Sequence, residues 1–162
     1  MVLPKKKKFL TGVLSEDLEK IVKRYEKRSA ALLPVLHRLQ DEYGWISREI
    51  ETETAEFLDV PEVKVHEAVS FYSMFHSKKI GKYEIRICET LSCTLNDAET
   101  LLSFLKKKLG IGLGETTPDG RFTLSAVQCL GACELSPVMQ INRDTYGRLT
   151  PEKIEEILRR LP

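Results

Sequence analysis

All four cysteines of the chain stand in two close pairs. Cys88 and Cys93 have four residues between them, Cys129 and Cys133 have three, and thirty-five residues separate the pairs. Each pair begins where an alternating apolar run ends, so each reads as a strand running into a loop. A fold that uses both pairs must bring two strand ends together. Four thiolates gathered this way can hold a metal ion or an iron–sulfur cluster.

The rest of the composition narrows the setting. Of the 162 residues, 42% are apolar and 30% charged, enough for one good core or two small ones. A formal net charge of +1 creates no global field to draw in nucleic acid or membrane. No run is long and apolar enough to insert directly into a bilayer. The N-terminal residues 1–14 read as a basic tail, with the Lys5–Lys8 run as solvated charge. They have neither the apolar core of a signal peptide nor the Arg- and Ser-rich pattern of a transit peptide. The expected location is the cytoplasm, including the cytoplasmic face of a membrane if a larger complex lies there. Thiols stay reduced in that compartment, which favours metal or redox chemistry over disulfides.

Residues 15–80 read as a helical domain. Ser15 suits an N-cap for a helix running to about Lys27, with Leu18, Ile21, Val22 and Tyr25 on one face. Ser29 can cap the next helix, whose Leu32, Leu36, Leu39 and Tyr43 recur at helical spacing; Gly44 stops it and Trp45 packs back on it. Ser47 caps a third helix carrying Ile50, Thr54, Phe57 and Leu58. Asp59-Val60-Pro61 ends it and starts a fourth, with Val65, Val69 and Tyr72. Two helices joined by a short turn raise the question of a DNA reader. The second helix offers Glu62, Lys64, His66 and Glu67, whose charges nearly cancel, and this argues against base and phosphate contacts. His37, His66 and His76 lie away from the cysteines and read as surface or packing residues.

Near Gly81 the period changes from helix to strand. Tyr83, Ile85 and Ile87 alternate with polar neighbours up to Cys88. A helix follows, capped by Asn96 or Asp97, with Ala98, Leu101, Leu102, Leu105 and Leu109 on its apolar stripe and Gly110 at its end. Gly112–Gly120 is a loop without phosphate-loop spacing. Phe122, Leu124 and Ala126 mark a second strand leading into Cys129. Two short strands, Val138–Asn142 and about Thr145–Leu149, then precede a helix capped by Thr150, with Ile154, Ile157, Leu158 and Leu161 inward. The crossover between the first two strands makes them parallel neighbours. Both cysteine pairs then sit beyond the carboxyl ends of adjacent strands, where open α/β sheets bind ligands. The class is α+β or α/β: an N-terminal helical bundle followed, over 81–162, by elements in the order of a thioredoxin-like fold.

Spacing alone leaves several chemistries open. A [2Fe–2S] cluster takes two thiolates per iron. Structural zinc also accepts four cysteines at such spacings, which gives the alternative of a zinc-stabilised interaction module without redox activity. Thiol–disulfide exchange normally shows Cys-x-x-Cys, which is absent here. Four unreactive buried thiols would seldom fall in two matched pairs. The pattern is not that of a plant-type ferredoxin, in which a third cysteine follows Cys-x4-Cys at once.

Longer motifs point further. Ser29-Ala30-Ala31-Leu32-Leu33-Pro34, Gly44-Trp45-Ile46 and Ser70-Phe71-Tyr72-Ser73-Met74-Phe75 occur in the first half. Gly81-Lys82-Tyr83, Cys88-Glu89-Thr90-Leu91-Ser92-Cys93, Thr117-Pro118-Asp119-Gly120 and Cys129-Leu130-Gly131-Ala132-Cys133 occur in the second. Over about residues 17–160 the chain resembles the thioredoxin-like [2Fe–2S] subunit of NADH dehydrogenases, the smaller partner of the flavoprotein in respiratory complex I. Similar subunits serve NAD-linked and electron-bifurcating hydrogenases and NAD-dependent formate dehydrogenases. The resemblance implies that Cys88, Cys93, Cys129 and Cys133 all ligate one [2Fe–2S] cluster. It also implies an FMN- and NAD(H)-binding flavoprotein partner, further iron–sulfur subunits, and a helical domain that helps dock the chain. The chain itself is then a non-catalytic electron-transfer subunit with no catalytic residues of its own. Asp97 stands where the family often has glycine, and Ser136 where alanine is usual. Pro137 lies where thioredoxin-like folds often carry a cis-proline, so a cis Ser136–Pro137 bond is expected.

Overall fold

A computed structural model describes residues 9–162, which fall into two compact units, one ending at Lys79 and the other spanning Ile80–Pro162. The Lys5–Lys8 run lies outside the described residues.

The first unit is built of α1 (Gly12–Val22), α2 (Leu32–Tyr43), α3 (Arg48–Leu58) and α4 (Glu62–Phe71). The start of α1 differs from the expectation at Ser15. The stripe Leu14, Leu18, Val22 is buried at four-residue spacing and draws the helix back to Gly12. Beyond Val22 no residue up to Ala30 is buried, and the helix does not reach Lys27. The expected tail is also shorter than 1–14: the backbone N–H groups of Phe9 and Leu10 donate to the Glu53 carboxylate, and the Tyr43 hydroxyl donates to the Phe9 carbonyl. Ser29 does not cap α2, because a 3-10 turn over Arg28–Ala31 precedes it.

Other local signals act as expected. Gly44 ends α2 in the left-handed region, and the Ser47 hydroxyl accepts from the Ile50 N–H at the start of α3. Val35, Leu36, Leu39, Ile46, Ile50, Leu58, Val65 and Val69 form one apolar core. Each fully buried Leu or Ile contributes on the order of 1.5–3 kcal/mol. Tyr72 is half-exposed at the end of α4 rather than inward. The histidines are packing or surface groups: His37 stacks on Phe75, and His66 pairs with the buried carboxylate of Glu51, which Arg48 also contacts.

In the second unit a four-stranded sheet has the order β2-β1-β3-β4, from β1 (Tyr83–Cys88), β2 (Phe122–Val127), β3 (Met139–Ile141) and β4 (Asp144–Tyr146). β1 and β2 are parallel, with Cys88 opposite Val127; β3 runs antiparallel to β1, and β4 to β3. The register ends β1 and β2 level with one another, which is what brings the two cysteine segments to one end of the sheet. Between them run a short helix α5 (Leu91–Leu95) and α6 (Ala98–Leu109). The chain closes with α7 (Pro151–Arg160), where the Thr150 hydroxyl accepts from Lys153 N–H and proline takes the first helical position. Tyr83, Ile85 and Ile87 of β1 share a core with Leu101 and Leu105 of α6, Leu124 of β2 and Ile154 and Leu158 of α7. This is the thioredoxin-like arrangement that the order of elements implied. Among the described residues no helix is long and apolar enough to cross a membrane.

Candidate functional site

The first pair grows out of the sheet. The Cys88 N–H donates to the Val138 carbonyl and the Glu89 N–H to the Val127 carbonyl, so the strand end is held from both sides. The loop expected over Glu89–Ser92 is in fact the entry to α5, and Cys93 lies inside that helix. The Thr94 hydroxyl donates to the Glu89 carbonyl, and the Thr94 N–H donates to the Thr90 carbonyl, which wind the segment into a turn. Cys88 and Cys93 are 2% and 1% exposed, and they pack with Ala98 and Val138 in a small apolar nest.

The second pair is open. Cys129 follows β2, Cys133 begins a 3-10 turn Cys133–Leu135, and both are exposed. Their sulfurs lie 3.4 Å apart. Gly131, in the left-handed region at φ +75°, turns its N–H back to Cys129 Sγ at 3.4 Å. A side-chain-bearing residue would be strained at that φ, so glycine gives the loop its tight form.

The pairs share an electrostatic pattern. Burial raises the Cys88 thiol, but hydrogen bonds from the Thr90 hydroxyl and N–H, from Cys93 and from the Leu130 N–H bring it below its ordinary value. Burial and the neighbouring Cys88 push Cys93 up to about 11. The Gly131 N–H and the Cys133 thiol lower Cys129, whereas hydrogen bonding and charge at Cys129 raise Cys133. In each pair one thiol is shifted toward ionisation and the other away from it. The influence of Cys88 on both Cys129 and Cys133 puts all four groups in one neighbourhood. Among the described residues no three His, Cys, Asp or Glu side chains close around a single ion position. The thiols are presented two by two.

A polar latch joins the two segments. Asn96 Nδ2 donates to the Ser92 carbonyl and to Ser136 Oγ, at 2.7 and 3.0 Å. The Ser92 hydroxyl lies 3.0 Å from Ser136 Oγ and 3.3 Å from the Cys133 carbonyl. Ser136, one of the two departures noted in the sequence, therefore has a role here. So does Asp97, the other: it sits at φ +64°, in the region glycine favours and aspartate tolerates. Its side chain does not cap α6, contrary to expectation. The Ser136–Pro137 peptide is cis, as expected. Sequence reasoning missed the parts played by Thr90 and Ser92. A threonine just ahead of a short apolar stretch is an N-cap signal, and it could have disclosed α5.

A profile of the family described as "Thioredoxin-like [2Fe-2S] ferredoxin" matches residues 18–162. The chain belongs to this family. The cofactor of this thioredoxin-like [2Fe–2S] ferredoxin is therefore a [2Fe–2S] cluster, and its class of activity is electron transfer. It is 42% identical over 145 residues to a NADH-quinone oxidoreductase subunit of Rhizobium meliloti (strain 1021), covering 90% of this chain and 86% of that one. It is likewise 42% identical over 144 residues to NADH-quinone oxidoreductase subunit 2 of Thermus thermophilus, covering 87% and 80%. Among solved structures, a chain of an NAD+-reducing [NiFe]-hydrogenase in the air-oxidized state superposes with a TM-score of 0.69 at 21% identity. That match covers 79% of this chain and 22% of the hydrogenase chain, and it speaks for the fold alone. The family resemblance read from the motifs is borne out.

Proposed function

We propose that Cys88, Cys93, Cys129 and Cys133 ligate the [2Fe–2S] cluster. We further propose that the chain exchanges electrons with the flavin of an NAD(H)-binding partner subunit. The observation that carries the ligand assignment is the meeting of both cysteine pairs at the level ends of β1 and β2. The donor set fits the group: four thiols in two pairs, two per iron, with the Cys129 and Cys133 sulfurs 3.4 Å apart. The backbone N–H of Gly131 is already turned toward Cys129 Sγ, as a hydrogen bond to a ligating thiolate requires. When bound, the cluster supplies one-electron chemistry, while the protein sets geometry and potential. The relatives named as subunits of NADH-quinone oxidoreductases support a place in an NADH-oxidising complex with further iron–sulfur subunits. In that assembly the helical unit, bounded near residue 80, is a docking element and the second unit the electron carrier. Membership in a [2Fe–2S] family leaves the zinc module without support.

The test is anaerobic purification followed by iron and sulfide analysis, with the four single Cys→Ser variants alongside. About two irons and two sulfides per chain are expected, with altered visible and EPR spectra in every variant. Unchanged spectra in all four variants would sink the ligand assignment. Adding a flavoprotein partner with NADH should reduce the site, whereas NADH alone should not.

A further inference from the structure

Thr90 occupies the N-cap position of α5, where a threonine hydroxyl ordinarily accepts from a backbone N–H two or three residues on. It makes no such bond. Its Oγ1 instead lies 3.1 Å from Cys88 Sγ. This side chain is thus diverted from capping a helix to serving the Cys88 sulfur.

We propose that Thr90 is a positioning residue: its hydroxyl donates to the Cys88 sulfur and so favours the reduced state of the site. The proposal rests on the reading of the four cysteines as ligands. Between a hydroxyl and a free thiol either atom can donate, but a metal-bound thiolate has no proton. The Thr90 O–H is then the donor and Cys88 the acceptor. Reduction adds one electron from an external reductant and breaks no bond. The added negative charge is shared with the ligand sulfurs, and a donor aimed at one of them stabilises the reduced form more than the oxidised form. Removing the hydroxyl therefore lowers the potential. A residue that merely filled space would leave it where it was.

The experiment is an anaerobic redox titration of the cluster-loaded full chain, followed by visible and EPR spectroscopy. It compares wild type with Thr90→Val, which keeps the shape and loses the hydroxyl, and Thr90→Ser, which keeps the hydroxyl. Thr90→Val should shift the reduction equilibrium about tenfold toward the oxidised form, which is about 59 mV for a one-electron couple. Thr90→Ser should titrate within about twofold of wild type. A Thr90→Val protein with full iron and sulfide content and wild-type potential overturns the inference. So does an equal shift in Val and Ser variants, which would trace the effect to shape. If Thr90→Val loads poorly, Thr90→Ala takes its place: a low potential in Ala with a normal one in Ser supports the role, and equal potentials in the two overturn it. Failure here leaves the Cys→Ser spectra altered, whereas failure of the ligand reading leaves them unchanged.

Discussion

The two cysteine pairs sit at one end of one sheet yet live in different surroundings. Cys88 and Cys93 are enclosed by Ala98 and Val138, and Cys88 is anchored by sheet hydrogen bonds. Cys129 and Cys133 lie on an exposed loop held by Gly131 and by the latch through Ser92, Ser136 and Asn96. The inner pair is part of the core of its unit, whereas the outer pair depends on a few polar bonds and turns. Under the proposed ligand assignment, losing an inner thiol would disturb packing as well as ligation. Losing an outer one would disturb ligation alone.

The largest expected effect breaks the comparison at its centre. Cys93→Ser places a hydroxyl in the apolar nest and should lower the stability of the cluster-free unit by about 1–3 kcal/mol. Cys133→Ser should leave the cluster-free unit within about 0.5 kcal/mol of wild type, because that side chain is exposed. Denaturant titrations of the two apo variants measure this directly, and equal losses would erase the distinction between inner and outer pairs.

A second expectation concerns the support of the outer pair. At Gly147 an added Cβ would clash with Leu135 Cβ and meet its carbonyl oxygen at 2.7 Å. Leu135 closes the turn that Cys133 begins. Gly147→Ala should therefore push that turn outward, costing about 1–3 kcal/mol and altering the EPR spectrum of the loaded protein. A variant with a wild-type melt and a wild-type spectrum would show that the segment just after β4 does not brace the outer loop.

The smallest effect is expected at the far end of the sheet, as a control. Asp119 accepts from the Thr117 hydroxyl and the Arg121 N–H in the turn before β2, and these hold its carboxyl below the ordinary 3.8. A depressed folded-state pKa contributes stability that is present at higher pH and lost as pH falls through it. Thermal melts of wild type from about pH 5 to about pH 2 should therefore fall more steeply than those of Asp119→Asn, by a small margin. At neutral pH the visible spectrum of the loaded variant should be unchanged, since the turn lies at the opposite end of β1 from Cys88.

How far the chain could be read depended on the range of the signals. β1 was legible because its apolar residues Tyr83, Ile85 and Ile87 alternate along the chain, a local pattern, although Glu84 between them is buried too. So was α7, announced by Thr150 and Pro151. α5 was not, since five residues with two exposed leucines give no periodic stripe; Leu91 and Leu95 are each 75% exposed. The start of α1 was misplaced because a good N-cap residue, Ser15, lies inside a helix whose buried stripe begins at Leu14.

By itself the sequence determined the four thiols, their pairing, the strand–helix–strand order and, through its motifs, the family. These rest on spacing and short-range pattern, which a linear chain displays directly. Only the tertiary structure decided which pair is enclosed and which is open. It alone joined Ser136 to Ser92 and Asn96 across 44 and 40 residues of chain. Such contacts arise when β1, β2 and β3 assemble and bring distant segments within hydrogen-bond reach, a proximity that no local pattern encodes.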